Sequence, residues 1–229
     1  MREIVLDTET TGFEPGEGDR IVEIGAVELF NHMPTGKTYH QYINPERSMP
    51  ASAFEVHGLG DEFLRDKPVF KKIGQEFLDF VKGDRLVIHN ASFDMKFLNA
   101  ELGWVGLPTL PMEQALDTLA IARKRFPGSP ASLDALCRRF HIDNSAREKH
   151  GALLDSEILA EVYLELVGGR QPDLVLASTD AGSKNSVEDN WRPTARATPL
   201  KPRLTEDEKA AHSAFVDKMG GDALWSKLS

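Results

Sequence analysis

The order of hydrophobic patterns along the chain predicts an α/β fold with a mixed β-sheet flanked by helices. Strand-like runs occupy residues 3–9, 20–29 and 37–43, and short connections that contain Gly or Pro separate them. Farther along, a short apolar strand at residues 86–88 stands between helical patterns. Strands that come first and then alternate with helices are typical of a layered α/β domain with a mixed sheet.

Each element follows from its own pattern. Short connections predict that the first three strands form an antiparallel meander. After Pro68, apolar residues recur at spacings of three and four up to Val81, which predicts an amphipathic helix. Further helical patterns cover residues 92–102, 118–126, 132–140 and 153–167.

Composition and charge exclude several classes of protein. The chain of 229 residues is 41% apolar and 28% charged, as in globular proteins. It contains no apolar run near the roughly 18 residues of a membrane span, and its N-terminus lacks the apolar region of a secretory signal, so we expect a cytoplasmic protein. A net charge of −9 argues against a broad basic surface for coating nucleic acid. Any contact with nucleic acid is therefore local.

The hydrophobic pattern stops after Val167, which divides the chain into three parts. Residues 1–170 are predicted to form the folded domain. Residues 171–203 are rich in Pro and small polar residues, as flexible linkers are. Residues 204–229 form a short tail with a capping box at its start and too much apolar surface to stand alone. The tail either packs back on the domain or binds a partner, and the linker before it favours a partner.

Two acids at the end of the first strand suggest a metal site. Asp7 and Glu9 lie two residues apart, so strand alternation places them on one face. At a separation of about 4 Å they repel by up to ~4 kcal/mol for an effective dielectric near 20, unless a cation lies between them. Oxygen ligands favour Mg²⁺ or Mn²⁺. The alternative is a solvated turn with two surface acids.

Two later segments carry further candidate residues. Asp94 follows the strand at residues 86–88 and falls in the first turn of a helix for which Ser92 is the predicted N-cap, although the helix dipole alone also favours an acid there. If Gly151 begins the last helix, His150 lies on the loop before it and Asp155 just inside it. A histidine beside a carboxylate is a candidate general base.

The three segments, in this order, resemble the motifs of the DnaQ-like (DEDDh) exonuclease family. The segments are residues 7–12, 89–94 and 150–155, and the similarity extends from residue 1 to about residue 170. The resemblance implies a ribonuclease H-like fold and hydrolysis of DNA from 3′ ends. It also implies that Asp7, Glu9, Asp94 and Asp155 bind two divalent ions, Mg²⁺ or Mn²⁺, while His150 activates the attacking water.

The resemblance also implies contacts to the 3′-terminal nucleotides. Residues 52–59 are similar to the family's loop at the terminal nucleotide. The implied substrate-binding residues are Asp7, Glu9, Thr10, Thr11, Gly12, Ser52, His57, Leu59, Phe93 and Asp155.

Two segments beyond the domain resemble attachment sites of the family's proofreading members. Residues 171–176 are similar to a short sliding-clamp-binding peptide. The tail at residues 204–229 matches in position the segment that attaches to the alpha subunit of bacterial DNA polymerase III. The implied location is the nucleoid-associated replisome of a bacterial cytoplasm.

Three other functions are compatible with parts of the sequence. An RNA-trimming exonuclease of the same superfamily would carry the same carboxylates, although it has little use for a linker and a docking tail. A haloacid-dehalogenase phosphatase also begins with a strand, two acids and a Thr, but Glu9 stands where that class has Asp. The third possibility is a non-enzymatic adaptor derived from a nuclease that has lost its activity. The presence of all four candidate carboxylates and of His150 argues against it.

Overall fold

A mixed five-stranded sheet forms the centre of the domain. The structure is a computed structural model that describes residues 1–145, 149–169 and 204–219. The strands are β1 (Arg2–Thr10), β2 (Ile21–Phe30), β3 (Met33–Tyr42), β4 (Arg85–Ile88) and β5 (Ala115–Asp117). Their order is β3-β2-β1-β4-β5. The first three pair antiparallel and β4 and β5 continue the sheet in parallel, which confirms the predicted meander and mixed sheet.

Helices flank this sheet in the domain. They are α1 (Ala51–His57), α2 (Asp61–Leu64), α3 (Phe70–Val81), α4 (Ala91–Trp104), α5 (Thr118–Arg125), α6 (Leu133–Phe140) and α7 (Ala152–Leu166). The last five agree with the predicted helices to within one or two residues. The short helices α1 and α2 were not predicted, and residues that resemble a nucleotide-contacting loop lie mostly in α1.

The two faces of β1 pack against different helices. Ile4 and Leu6 belong to the core cluster that contains α3 and α4. Val5 instead packs with Leu159 and Tyr163 of α7. Each fully buried large apolar side chain contributes about 1.5–3 kcal/mol, so both layers are stabilised through the same strand. By strand alternation, the end of β1 therefore also presents consecutive residues to opposite layers.

The start of α4 differs from the prediction. Ser92 was expected to be the N-cap, but the helix begins at Ala91 and its N-cap is Asn90, with φ of 70°. Asparagine tolerates this left-handed conformation better than most residues do. The backbone N–H of Asn90 donates to Asp117 Oδ1 at 3.1 Å, which ties the start of α4 to the end of β5.

Gly25 allows α7 to approach the sheet closely. It pairs with Asp7 across the β1–β2 ladder. A Cβ atom on Gly25 would lie 2.1 Å from the backbone N of Leu153 and 2.4 Å from the carbonyl O of Ala152, so no larger residue fits without moving the helix. Ser156 Oγ also donates to the carbonyl of Gly25 at 2.9 Å. These contacts fix the first turn of α7 against the sheet.

The chain divides into two compact units, residues Met1–Leu176 and Ala177–Ser229. In the second unit, α8 (Glu206–Met219) begins with the predicted capping box. Glu208 N donates to Thr205 Oγ1 at 3.2 Å, and Thr205 N donates to Glu208 Oε2 at 2.9 Å. The predicted linker and clamp-binding peptide lie outside the described residues. Among the helices described, none is long and apolar enough to cross a membrane.

Candidate active site

All four predicted carboxylates and the predicted histidine line one cavity at the end of β1. The cavity has a volume of about 460 Å³. Its wall includes Asp7, Glu9, Asp94, His150 and Asp155. Two of the acids come from β1, one from the first turn of α4 and one from the first turn of α7. The fold thus brings together residues from the three motif segments, which lie far apart in the sequence.

His150 and two acids form the tightest part of this group. Ligand atoms of Glu9, His150 and Asp155 all lie within 4.8 Å of one another. His150 Nδ1 is 3.2 Å from Asp155 Oδ2, and the imidazole is half-exposed whereas the carboxylate is buried. The backbone N–H of His150 donates to the carbonyl of Val56, which connects this loop to α1. The histidine is therefore oriented on both sides and accessible from the cavity.

Asp94 is buried and held by a neighbour that the sequence did not single out. Burial raises the pKa of Asp94 to about 7, although the hydrogen bond from Thr8 opposes this rise. Thr8 Oγ1 donates to Asp94 Oδ1 at 2.7 Å. Because burial disfavours the charged carboxylate, a nearby cation would stabilise it strongly. This donor set, all oxygen apart from one imidazole, fits hard divalent ions such as Mg²⁺ or Mn²⁺.

Replacing Thr8 with Val should weaken divalent-ion binding by about 10- to 100-fold, because partners that orient a metal ligand contribute on this scale. Val has the shape of Thr but cannot donate to Asp94. Isothermal titration with Mn²⁺ measures the change directly. Thr8→Ser keeps the hydroxyl and is the matched control. Equal Mn²⁺ affinity in the Val and Ser variants would contradict the role of Thr8.

A second cavity lies next to the first. Its volume is about 160 Å³, and the two cavities share Thr8, Glu9 and Phe93. Of the residues predicted to bind substrate, those lining the second cavity are Glu9, Thr10, Gly12, Ser52, His57 and Phe93. Phe13, an unpredicted member of the wall, is 82% exposed and meets Phe93 edge to face with ring centroids 6.4 Å apart. The sequence signal that could have identified Phe13 is an aromatic residue directly after the Thr-Thr-Gly run.

His57 is fixed in one tautomer by its surroundings. Its Nδ1 accepts a hydrogen bond from the backbone N–H of Leu59 at 3.0 Å, so Nε2 carries the proton. Burial lowers the pKa of His57, which keeps the ring neutral near pH 7. Nε2 is buried, and the backbone of Thr10 is the acceptor that partly opposes the lowering of the pKa. The wall of the second cavity thus includes a neutral imidazole whose N–H is directed into the protein.

Two of the predicted substrate contacts lie elsewhere. Thr11 Oγ1 donates to Asp19 Oδ1 at 3.0 Å and accepts from Arg20 N at 3.0 Å, so the hydroxyl stabilises the loop after β1. Neither Thr11 nor Leu59 lines a cavity of the site. Leu59 contacts the site through its backbone N–H, which donates to His57 Nδ1.

A family model described as an exonuclease matches residues 4–163 of the chain. This match spans most of the domain and includes every residue of the carboxylate cavity. The chain belongs to the DnaQ-like exonuclease family and is a 3′→5′ exonuclease.

Several relatives align over nearly the whole chain and are named DNA polymerase III subunit epsilon. The one from Rickettsia conorii is 46% identical over 222 residues, covering 96% of this chain and 96% of the relative. The one from Escherichia coli is 45% identical over 235 residues, covering 98% and 97%.

Solved exonuclease structures share the fold. Exonuclease X in complex with 5′ overhanging duplex DNA has a TM-score of 0.56 and 24% identity, covering 72% of this chain and 91% of that one. The nuclease domain of 3′hExo, a DEDDh family member bound to rAMP, has a TM-score of 0.62 and 20% identity, with the same coverages. These likenesses confirm the predicted fold.

Proposed function

We propose that the chain is the proofreading exonuclease of a bacterial replicative DNA polymerase. The observation that carries the proposal is the meeting of four carboxylates and His150 in one cavity. The names of the full-length relatives support the polymerase context. The intact site argues against the adaptor alternative, and membership of the exonuclease family excludes the phosphatase.

The carboxylates would hold two divalent ions, Mg²⁺ or Mn²⁺. When bound, such a pair supplies a hydroxide-like nucleophile and stabilises the leaving oxygen of an in-line phosphodiester hydrolysis. Asp7, Glu9, Asp94 and Asp155 together carry four negative charges, which match two divalent cations. The rigid attachments of Asp94 to Thr8 and of α7 to Gly25 hold these ligands in place before substrate arrives.

His150 acts as the general base in this proposal. Asp155 faces its Nδ1 and stabilises the imidazolium that forms when the ring accepts a proton from the attacking water. The half-exposed ring then passes this proton to solvent. The same carboxylate therefore orients the base and contributes to ion binding.

The second cavity receives the 3′-terminal nucleoside. Phe93 and Phe13 offer aromatic surface for a base. The neutral ring of His57 lines this cavity, and the polar groups of Thr10 and Ser52 offer donors and acceptors to the sugar or base. Because a nucleotide enters this cavity only when it is unpaired, a mispaired end that frays easily is the preferred substrate.

Digestion of matched oligonucleotides tests this function. We expect 3′-mispaired DNA to be shortened faster than fully paired DNA, and DNA faster than RNA of the same sequence, with Mg²⁺ or Mn²⁺ present. Chelation by EDTA should stop all digestion. Gel-resolved rates for the three substrates provide the measurement. Faster digestion of RNA, with no preference for the mispair, would contradict proofreading and favour the RNA-trimming alternative.

The parts of the chain outside the domain are proposed to attach the nuclease to its polymerase. In this division, residues 1–170 are the exonuclease domain, 171–203 the linker and 204–229 the tail that docks on the alpha subunit. The apolar side chains of Phe215 and Met219 in α8 are exposed and available for such a contact. Residues 171–176, outside the described part, are proposed to bind the sliding clamp.

Truncation after residue 203 should leave single-stranded DNA digestion unchanged and abolish co-elution with the polymerase alpha subunit. Deletion of residues 171–176 should instead weaken only clamp binding, measured by surface plasmon resonance with purified clamp. Each variant serves as the control for the other. Undiminished binding of the truncated chain to the alpha subunit would refute the docking role.

A further inference from the structure

One basic side chain lines the carboxylate cavity without belonging to the predicted site. Arg123, in the last turn of α5, forms part of the wall. It is the only Arg or Lys among the described residues that line this cavity. Five carboxylates line the same cavity, those of Asp7, Glu9, Asp94, Asp134 and Asp155, so the function of this single basic side chain needs an explanation.

Arg123 is not used to hold the domain together. In the described ranges it makes no ion pair or hydrogen bond, although carboxylates line the same cavity. Other arginines nearby are engaged in packing. Arg125 donates to the carbonyls of Glu165 and Leu166 at 2.8 and 2.7 Å, and Arg139 lies 4.3 Å from the ring centroid of Phe126.

The positive charge of Arg123 affects a neighbouring side chain on the cavity wall. His89, also on the wall, has its pKa lowered chiefly by burial, and the positive charge of Arg123 adds to this effect. The neighbouring imidazole is therefore neutral near pH 7, and Arg123 remains the fixed positive charge there. Asp134 of α6 also lines this cavity, and its Oδ1 accepts a hydrogen bond from Asn144 Nδ2 at 3.0 Å. The guanidinium of Arg123 is the positive charge that an anion entering the cavity meets.

The position of Arg123 relative to the second cavity indicates which part of a DNA strand it meets. The two cavities join at Thr8, Glu9 and Phe93, whereas α5 supplies no residue to the second one. A strand with its last nucleoside in the second cavity and its scissile phosphate at the carboxylates must continue in the first cavity. We expect the next phosphate of that strand to lie in the part of the first cavity that Arg123 lines.

We propose that Arg123 binds the phosphate immediately 5′ of the scissile one and thereby positions the strand. This inference rests on the proposed function and adds a residue that sets substrate affinity. Guanidinium groups bind phosphate through paired, charge-assisted hydrogen bonds. Arg123 touches neither the scissile phosphate nor the attacking water, so its loss affects KM more than kcat.

Steady-state digestion of a single-stranded oligonucleotide by Arg123→Gln tests the proposal. KM should rise by about 10- to 100-fold, as expected for a hydrogen bond to a charged group, with kcat within about twofold. The slope of log KM against log salt concentration should fall by about 0.7, the value for one phosphate contact on a single strand. Lys124→Gln, which removes an exposed charge from the adjacent residue, is the matched control and should keep wild-type values.

A methylphosphonate at the linkage 5′ of the scissile one identifies the phosphate. This neutral linkage should raise KM for the wild type but have no further effect on Arg123→Gln. An additional loss in the variant equal to that in the wild type would overturn the assignment, as would an unchanged KM and salt slope in Arg123→Gln on ordinary DNA. A wild-type protein that failed to digest DNA would instead refute the proposed function itself.

Discussion

Asp7→Asn is expected to abolish the digestion of 3′ ends while leaving the domain folded. Asn keeps the size of the side chain but removes one of the four charges that hold divalent ions. We expect kcat/KM to fall by at least about 10³-fold, equivalent to about 4 kcal/mol of transition-state stabilisation. The rate is measured on single-stranded DNA at saturating Mn²⁺, and thermal unfolding is followed in parallel.

The stability of the same variant separates a ligand from a structural acid. Without metal ions, Asp7 and Glu9 repel each other, so Asp7→Asn should unfold at the same temperature as the wild type or a higher one. Asp66→Asn, which changes an exposed aspartate outside both cavities, is the control and should retain full activity. Normal digestion by Asp7→Asn would contradict the metal assignment.

His150→Ala should lower kcat by about 10²- to 10⁴-fold, as the loss of a general base does. Ion binding should persist, because the four carboxylates remain. Added imidazole should restore part of the rate in this variant, since a free base then occupies the space of the missing ring. Single-turnover digestion with and without imidazole provides the measurement.

A control variant and two possible outcomes test whether His150 is the general base. His212→Ala, in α8, is the control and should be fully active with no response to imidazole. A His150→Ala variant with wild-type turnover would rule out the general base. A slow variant that imidazole does not rescue, but that binds Mn²⁺ weakly, would show that His150 acts as a metal ligand instead.

Long periodic elements of the fold were predictable, and short ones were not. The apolar runs of β1 and β2 and the apolar face of α3 extend over many residues, so local sequence suffices to predict these elements. Strand β5 has three residues and α2 has four, too few to show a period. The start of α4 was misplaced because the left-handed conformation of Asn90 depends on Asp117, a contact between segments distant in sequence.

In the site, too, features set by local sequence were predictable and features set by contacts between distant segments were not. The order and spacing of three segments predicted that four acids and His150 meet in one site, and all five line the carboxylate cavity. Thr8 was passed over because its role comes from a hydrogen bond to α4, and a threonine between two acids has no distinctive pattern. The position of Arg123 depends on how α5 packs, which no local motif encodes.

The carboxylate cavity is proposed to bind two catalytic divalent ions. Electron paramagnetic resonance of Mn²⁺ titrated into the protein, with thymidine 5′-monophosphate as a product analogue, counts the bound ions. We predict two Mn²⁺ ions per wild-type chain with the nucleotide present, and fewer in Asp7→Asn. Equal Mn²⁺ binding by the wild type and Asp7→Asn, or no binding by either, would contradict the claim.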